Sequence, residues 1–251
     1  MSDVTTYQPV VRVFPDREAL GAAAATDIGE ALTLRLDSQP GVRIIFASAP
    51  SQEATLRHLA ERSGIDWSRV TAFHMDEYLG LLPEAPQRFG NWLRGALLDR
   101  VPVGAVQLID PGADPRAAAG RYSALLAAVP VDIVCLGIGV NGHIAFNDPP
   151  ADFNDPALVK VVTLDLASRV QQVDDGCFAA LDEVPTQAVT LTIPALLSGA
   201  ELFCMVPGAQ KKHAVTAALH GPVTGLLPAS ALRTHPHCAV YLDKESAPDA
   251  S

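Results

Sequence analysis

No apolar run in this chain approaches the ~20 residues needed to span a bilayer, which excludes a membrane-spanning helix. The first twenty residues, MSDVTTYQPVVRVFPDREAL, lack the basic region, apolar stretch and small-residue cleavage site of a signal peptide. The expected location is therefore cytoplasmic. Cysteine is scarce. Cys135, Cys177, Cys204 and Cys238 are dispersed with no Cys-x-x-Cys pair, a pattern of reduced and mostly buried thiols, not of a disulfide frame or zinc site. Basic charge is short as well: a formal net charge of −10 sets a field that repels a phosphate polyanion, so neither nucleic acid nor a membrane is an expected partner. Low-complexity linkers, repeat periods and charge blocks are missing too, and residues 1–251 read as a single domain.

What is present points to a large core. Hydrophobic residues make up 49% of the 251 and charged residues 18%, within the range of one α/β domain. β-rich runs such as VVRVF, VRIIFAS (42–48), VTAFHM (70–75), VQLI (106–109) and VDIVCLGIG (131–139) alternate with alanine- and leucine-rich helical stretches at 16–35, 52–63, 113–128 and 210–219. The later runs are VKVVTL (159–164), AVTLTI (188–193), LFCMVPG (202–208) and CAVYLD (238–243). This alternation predicts an α/β fold, a three-layer sandwich with a mostly parallel, Rossmann-like sheet covered by helices on both faces. Ligands of such sheets sit at the carboxyl ends of the strands. Polar residues follow strands at four places: Ser48 to Gln52, Asp76 to Tyr78, Asn141 to His143 and Gly208 to Lys211.

The stretch LGIGVNGHIAFNDPP (136–150) carries Gly137-x-Gly139-x-x-Gly142 directly after an apolar run, the spacing of a dinucleotide-binding turn. That turn needs a helix to begin at the third glycine, so that its N-terminus can hold the pyrophosphate. Only six residues separate Gly142 from Pro149-Pro150, and an internal proline costs a helix ~3 kcal/mol. Asp165 mimics the ribose-binding acid, but no helix connects the two strands. The glycines are read instead as allowing a tight turn and close approach to a small ligand. His143 follows a strand end, flanked by Asn141 and Asp148, and a second ionisable cluster lies in HMDEYLGL (74–81). Two such clusters meeting in one crevice are the pattern of an acid–base site.

FHMDEYLGL and LGIGVNGHIAFNDP together resemble the glucosamine-6-phosphate deaminase family, as do LDEVPTQAVTLTI (181–193), VPGAQKKHAV (206–215) and LPASALRTHPHCAVYLDKESA (227–247). The likeness runs in order over nearly the whole chain. It implies conversion of glucosamine 6-phosphate and water to fructose 6-phosphate and ammonia, with neither metal nor organic cofactor. The implied catalytic residues are Asp76, which moves a proton from C2 to C1, and His143, which opens the sugar ring, with Asn141 and Asp148 beside it. The implied substrate-binding residues are Ser48, Ser51, Glu77, Gly142 and Lys211. The implied partners are a small-molecule sugar phosphate and, in a homo-oligomer, copies of the chain.

The resemblance has departures. Asn141 stands where many members carry aspartate, and Asp148 where glutamate is usual. The family's Thr-Gly-x-Thr-Pro turn is here Ser48-Ala49-Pro50-Ser51-Gln52, followed by a helix expected to offer free N–H groups. The arginine placed shortly before the EVP segment is replaced within QQVDDGCF, and Arg169 is the expected substitute. The arginine-containing effector segment of allosteric members is unrecognisable in PADFNDPALVK. His235-Pro-His237 supplies two potential metal ligands without a third and reads as an ordinary turn, and Trp67 and Trp92 read as core or interface aromatics. The rival readings are another sugar-phosphate isomerase, a 6-phosphogluconolactonase-like hydrolase, and a non-catalytic sugar-phosphate sensor. Retention of Asp-Glu-Tyr argues against the lactonase, which needs no base at C2, and the lack of a basic stretch argues against the sensor.

Overall fold

The computed structural model describes residues 5–249, so the first four residues of the N-terminal stretch lie outside it. Strand β1 (Val10–Phe14) leads to Asp16, whose carboxylate accepts the Ala19 N–H and caps α1 (Arg17–Ser38). Leu20, Ala24, Ile28, Leu32 and Leu36 of α1 recur every fourth residue and are all buried, which seats the helix on the sheet along one stripe. The chain continues through β2 (Val42–Phe46), α2 (Glu53–Glu61), β3 (Val70–His74), β4 (Asp76–Tyr78), α3 (Phe89–Leu93), β5 (Ala105–Gln107) and α4 (Pro115–Ala127). It then forms β6 (Ile133–Leu136), β7 (Val159–Thr163), α5 (Leu166–Asp174), β8 (Gln187–Leu191), α6 (Ile193–Leu196), β9 (Glu201–Val206), α7 (Lys212–His220) and β10 (Cys238–Asp243).

Seven strands make the central sheet in the order β1-β10-β9-β6-β2-β3-β5, and every neighbouring pair is parallel. Side chains alternate across it. Ile44 and Phe46 of β2 face the layer built with Leu20, Ile28 and Leu32 of α1, while Ile45 faces the opposite layer with Tyr122 of α4 and Val215 of α7. The expected sheet with helices on both faces is therefore present.

Two of the expected strands belong elsewhere. β7 and β8 pair antiparallel with each other, and β8 pairs antiparallel with β4, forming a separate three-stranded sheet in the order β4-β8-β7. Asp76–Tyr78, expected as residues following a strand, is itself an edge strand of this small sheet. The chain leaves the central sheet after His74, Met75 O takes the Leu191 N–H at 2.8 Å, and Asp76 then lies in register with Thr190. The small sheet thus fixes Asp76 just beyond the carboxyl end of β3.

The four cysteines are free thiols, three buried and Cys177 half-buried. Among the described residues no helix is long and apolar enough to cross a membrane.

Candidate active site

Strand order reverses at β2: the chain moves outward through β3 and β5 and then returns to the other side of β2 with β6. A crevice opens at such a switch point. The loops after four adjacent strands, β9, β6, β2 and β3, line one cleft there. They contribute Lys211, the Gly137–His143 loop, the Ser48–Gln52 turn and Asp76 respectively. Gln171 and Gln172 of α5 close one side, and Phe89 and Phe146 add an aromatic wall.

Asp76 is buried, and among the described residues its carboxylate accepts no hydrogen bond within the protein. Burial first, and then the neighbouring charge of Glu77, push its pKa well above the ordinary carboxylate value. The next carboxylate is also raised in pKa by burial, but unlike Asp76 it is supplied with donors that oppose the shift. Glu77 Oε1 accepts the N–H groups of Tyr78 (2.9 Å) and Phe89 (3.0 Å), Oε2 accepts that of Gly90 (3.0 Å), and Arg88 Nε lies 3.6 Å away. Glu77 is fully buried and does not line the cleft. Its expected substrate contact is therefore corrected: Asp76 and Glu77 are consecutive strand residues and point to opposite faces, so only Asp76 reaches the ligand space.

The histidine is oriented through a chain of hydrogen bonds. Asp148 Oδ1 accepts from Asn141 Nδ2 at 3.1 Å, which turns Asn141 Oδ1 toward His143, where it lies 2.8 Å from Nδ1. Asn141 Oδ1 also accepts the His143 backbone N–H at 3.0 Å. Since that oxygen only accepts, Nδ1 carries the proton and Nε2 is left as the basic nitrogen. Ser168 Oγ bridges the same group, 2.8 Å from Nδ1 and hydrogen-bonded to Asp148. Asp148 itself is 3.4 Å from Nδ1, and its Oδ2 accepts the Asp165 N–H at 2.9 Å. Burial would raise the Asp148 pKa, but the bonds from His143 and Ser168 and the Asp165 N–H together hold it well below the ordinary value.

Lys211 is the single cationic side chain among the residues lining the cleft. It is buried, and desolvation lowers its pKa to about 8 despite the opposing pull of Asp175. Ser48 Oγ, also buried and lining the cleft, has no hydrogen-bond partner among the described residues. Ser51 Oγ accepts from Gln52 Nε2 at 3.1 Å and keeps its own proton to donate. The Gln52 backbone N–H, expected to be free for an anion, is held by Ala49 O at 2.8 Å because a 3-10 turn over Pro50–Gln52 precedes α2.

Two further expectations need correction. The Arg169 guanidinium donates to the carbonyls of Leu181 (2.7 Å) and Val184 (2.8 Å), anchoring the segment before β8, and does not line the cleft. Gly142 is not a lining residue either. Its N–H is held by Gly139 O (3.0 Å), its carbonyl accepts from Ala229 N (2.8 Å), and its φ of +84° makes it the hinge of the turn. No helix follows it, and Asp165 serves as the N-cap of α5, bonding Ala167 N. The dinucleotide reading thus has neither of its structural requirements. Both ring nitrogens of His235 are occupied by backbone groups of Gly199 and His237, as in an ordinary turn. Ser168 and Gln172 were not foreseen as site residues, and Gln52 was foreseen only as the end of the Ser48 turn. The signal was a polar face on α5, where Ser168, Gln171 and Gln172 recur at helical spacing and are buried.

Fold and cleft together define the class: a three-layer α/β enzyme with its ionisable groups gathered at the carboxyl ends of a parallel sheet. The chain belongs to the family of glucosamine-6-phosphate isomerases and 6-phosphogluconolactonases, whose family model matches residues 15–240. It is similar to the glucosamine-6-phosphate deaminase of Streptococcus sanguinis (strain SK36), 34% identical over 202 residues that cover 80% of this chain and 84% of that protein. A second relative, the glucosamine-6-phosphate deaminase of Arthrobacter sp. (strain FB24), is 32% identical over 241 residues, covering 94% and 91%. Among solved structures, a monomeric glucosamine-6-phosphate deaminase superposes with a TM-score of 0.86 at 27% identity, covering 94% of this chain and 98% of that one. The 6-phosphogluconolactonase of Thermotoga maritima matches with a TM-score of 0.76 at 20% identity, covering 94% and 100%, a likeness of fold alone. The family resemblance read from the motifs is borne out.

Proposed function

We propose that this chain, acting as a single domain, catalyses isomerising deamination of an amino sugar phosphate, glucosamine 6-phosphate and water giving fructose 6-phosphate and ammonia. The observation that carries the reading is the pairing, in one cleft, of a buried carboxylate without hydrogen-bond donors and a histidine whose Nδ1 is anchored. His143 Nε2 moves a proton between the ring oxygen and the anomeric hydroxyl, opening the pyranose to the aldehyde. Asp76 takes the C2 proton as the C1 carbonyl oxygen is protonated, forming the enolamine. It then returns the proton to C1, leaving an imine at C2. Water adds to C2, the C–N bond breaks, and ammonia departs.

Asp76 suits this role because a carboxylate stripped of donors is a stronger base than a solvated one. Asn141, Asp148 and Ser168 act by fixing the imidazole, and Lys211, Ser48 and Ser51 meet the phosphate. The reading is favoured over lactone hydrolysis by the Asp76 environment, since ester hydrolysis needs no proton taken from C2. The test is ammonia release from a panel of hexosamine 6-phosphates, with 6-phosphogluconolactone as the competing substrate. Glucosamine 6-phosphate is expected to be turned over with stoichiometric ammonia. Lactone hydrolysis without ammonia release would overturn the assignment.

A further inference from the structure

Asp76 stands on β4 and His143 in the loop after β6, yet both are tied to one residue of β8, Thr190. Thr190 lies opposite Asp76 in the small sheet. The Leu191 N–H bonds to Met75 O, and antiparallel ladders alternate, so Asp76 and Thr190 form the next pair, which exchanges no backbone hydrogen bonds. Their side chains share one face, with Cβ atoms about 5 Å apart. Asp76 lines the cleft, whereas Thr190 is fully buried behind it. The Thr190 hydroxyl reaches the other group's loop: Oγ1 accepts the Phe146 N–H at 3.1 Å and donates to Leu191 O at 3.1 Å.

Phe146 belongs to a turn from Ile144 to Asn147 that follows His143 directly. The Asn147 N–H closes it on Ile144 O at 3.1 Å, and the buried Asn147 side chain latches it to β8, Nδ2 donating to Ile144 O (2.9 Å) and Leu191 O (2.8 Å). Ala145, inside the turn, has a φ of +50° and is the one non-glycine residue with positive φ among the described residues. Such a backbone persists only where its surroundings over-determine it. Here the surroundings are the two tethers to β8, through Thr190 and Asn147. Ala145 and Phe146 both line the cleft beside His143, so the strain is held where the ligand space is shaped.

We propose that Thr190 is a positioning residue that sets the spacing of Asp76 and His143: its backbone carries the strand partner of one, and its hydroxyl holds the turn that follows the other. The inference rests on the proposed roles of those two groups, but the tether can be tested apart from turnover. Thr190→Val keeps the shape and removes the hydroxyl. Thr190→Ala also leaves room for a water to meet the orphaned Phe146 N–H, which spares folding. Thr190→Ser keeps the tether. Melting temperature, kcat and KM on glucosamine 6-phosphate, and the histidine side-chain NMR resonances, with His143 assigned from His143→Gln, are measured for each. A displacement of about 1 Å can cost ~10²-fold in rate, so kcat should fall between about 10- and 100-fold in Thr190→Val and Thr190→Ala. KM should change little, because Lys211, Ser48 and Ser51 stand on other loops. The His143 resonances should shift in both variants, and Thr190→Ser should restore kcat and resonances together. A lowered melting temperature with kcat and His143 resonances unchanged would reduce Thr190 to a core residue and overturn the inference. A fall in kcat with unmoved His143 resonances would overturn it too, the loss then arising at Asp76 alone. So would a Thr190→Ser variant as impaired as Thr190→Val. If the wild type releases no ammonia from any hexosamine 6-phosphate, the reaction assignment falls, and the His143 resonances still decide the tether: shifted in Thr190→Val and Thr190→Ala they support it, unmoved they overturn it.

Discussion

The imidazole of His143 packs on Gly139 in the space a side chain would fill. A Cβ at Gly139 would lie 2.1 Å from Cε1 and 2.2 Å from Nε2 of the ring. The glycine that suggests a nucleotide turn in the sequence is there to seat a histidine.

Gly139→Ala tests that relationship. Gly139 is not among the positive-φ residues, so alanine strains no backbone, and the ring alone must move. Displacement separates Nδ1 from Asn141 and Ser168, and a misplacement of about 1 Å can cost ~10²-fold in rate. We expect kcat to fall by about that factor while the melting temperature changes little. A variant with wild-type kcat would show that the ring has room to reseat.

Asp76→Asn keeps the shape of the side chain and removes the proposed base. Ammonia release should fall at least ~10²-fold while ligand binding, measured by calorimetry with fructose 6-phosphate, persists. The pH dependence follows from the raised pKa of Asp76. The base works only when deprotonated, so activity is lost on acidification through a pKa above the ordinary carboxylate range. Glu77→Gln removes the second of the two causes and should move that acid limb to lower pH, though burial keeps it from returning to the ordinary value. An acid limb unmoved by Glu77→Gln would show that the two carboxylates are uncoupled.

These contrasts bear on what could be read before the fold was known. The strand runs and helical stretches were legible because β-branched clusters and alanine-leucine periodicity report local structure directly. Sheet membership was not: VKVVTL and AVTLTI have the residues of strands, but nothing local distinguishes a parallel partner from an antiparallel one. Asp76, His143 and Asp148 were legible because ionisable groups in loops beyond strand ends stand out, and Asn141 as the polar neighbour of His143. Glu77 was misread because adjacency in a strand means opposite faces. Arg169 was misread because one step along a helix turns a side chain by about 100° from Ser168. Ser168, Gln52 and Gln172 carry no charge, and their role appears only once α5 and the turn after β2 share a cleft.

Asp148 has a signature in stability as well as rate. Its folded pKa is depressed, so it contributes stability that is present above the unfolded carboxylate value of ~3.9 and is lost as pH falls through the folded value. In Asp148→Asn that contribution is missing at every pH. We expect the urea midpoints of wild type and variant to differ at pH 7 and to converge below about pH 4. A gap that stays constant down to pH 3 would mean the loss comes from packing, not from the charge. Turnover should fall as well, since the amide has one acceptor oxygen in place of the two that Asp148 shares among Asn141, Ser168 and the Asp165 N–H.

Lys211 carries the charge proposed to meet the phosphate, in a chain with a formal net charge of −10. It is buried and forms no ion pair among the described residues, and desolvation has lowered its pKa to about 8. A phosphate monoester is mostly dianionic above its second pKa of ~6, so the two charges coexist best between about pH 6 and 8. Above that window Lys211 loses its proton, and kcat/KM for the phosphorylated sugar should decline. Lys211→Ala removes a hydrogen bond to a charged group, roughly 1.5–3 kcal/mol, and should raise KM by about 10- to 100-fold. The phosphate is remote from C1 and C2 and is held alike in ground and transition states, so kcat should change less. The decline above pH 8 should vanish in the same variant, and any weak activity on unphosphorylated glucosamine should be untouched. Steady-state kinetics on both sugars from pH 6 to 9.5 checks all three. If Lys211→Ala leaves KM for the phosphate ester unchanged, the ligand's anion is held elsewhere and the cleft serves a different amino sugar.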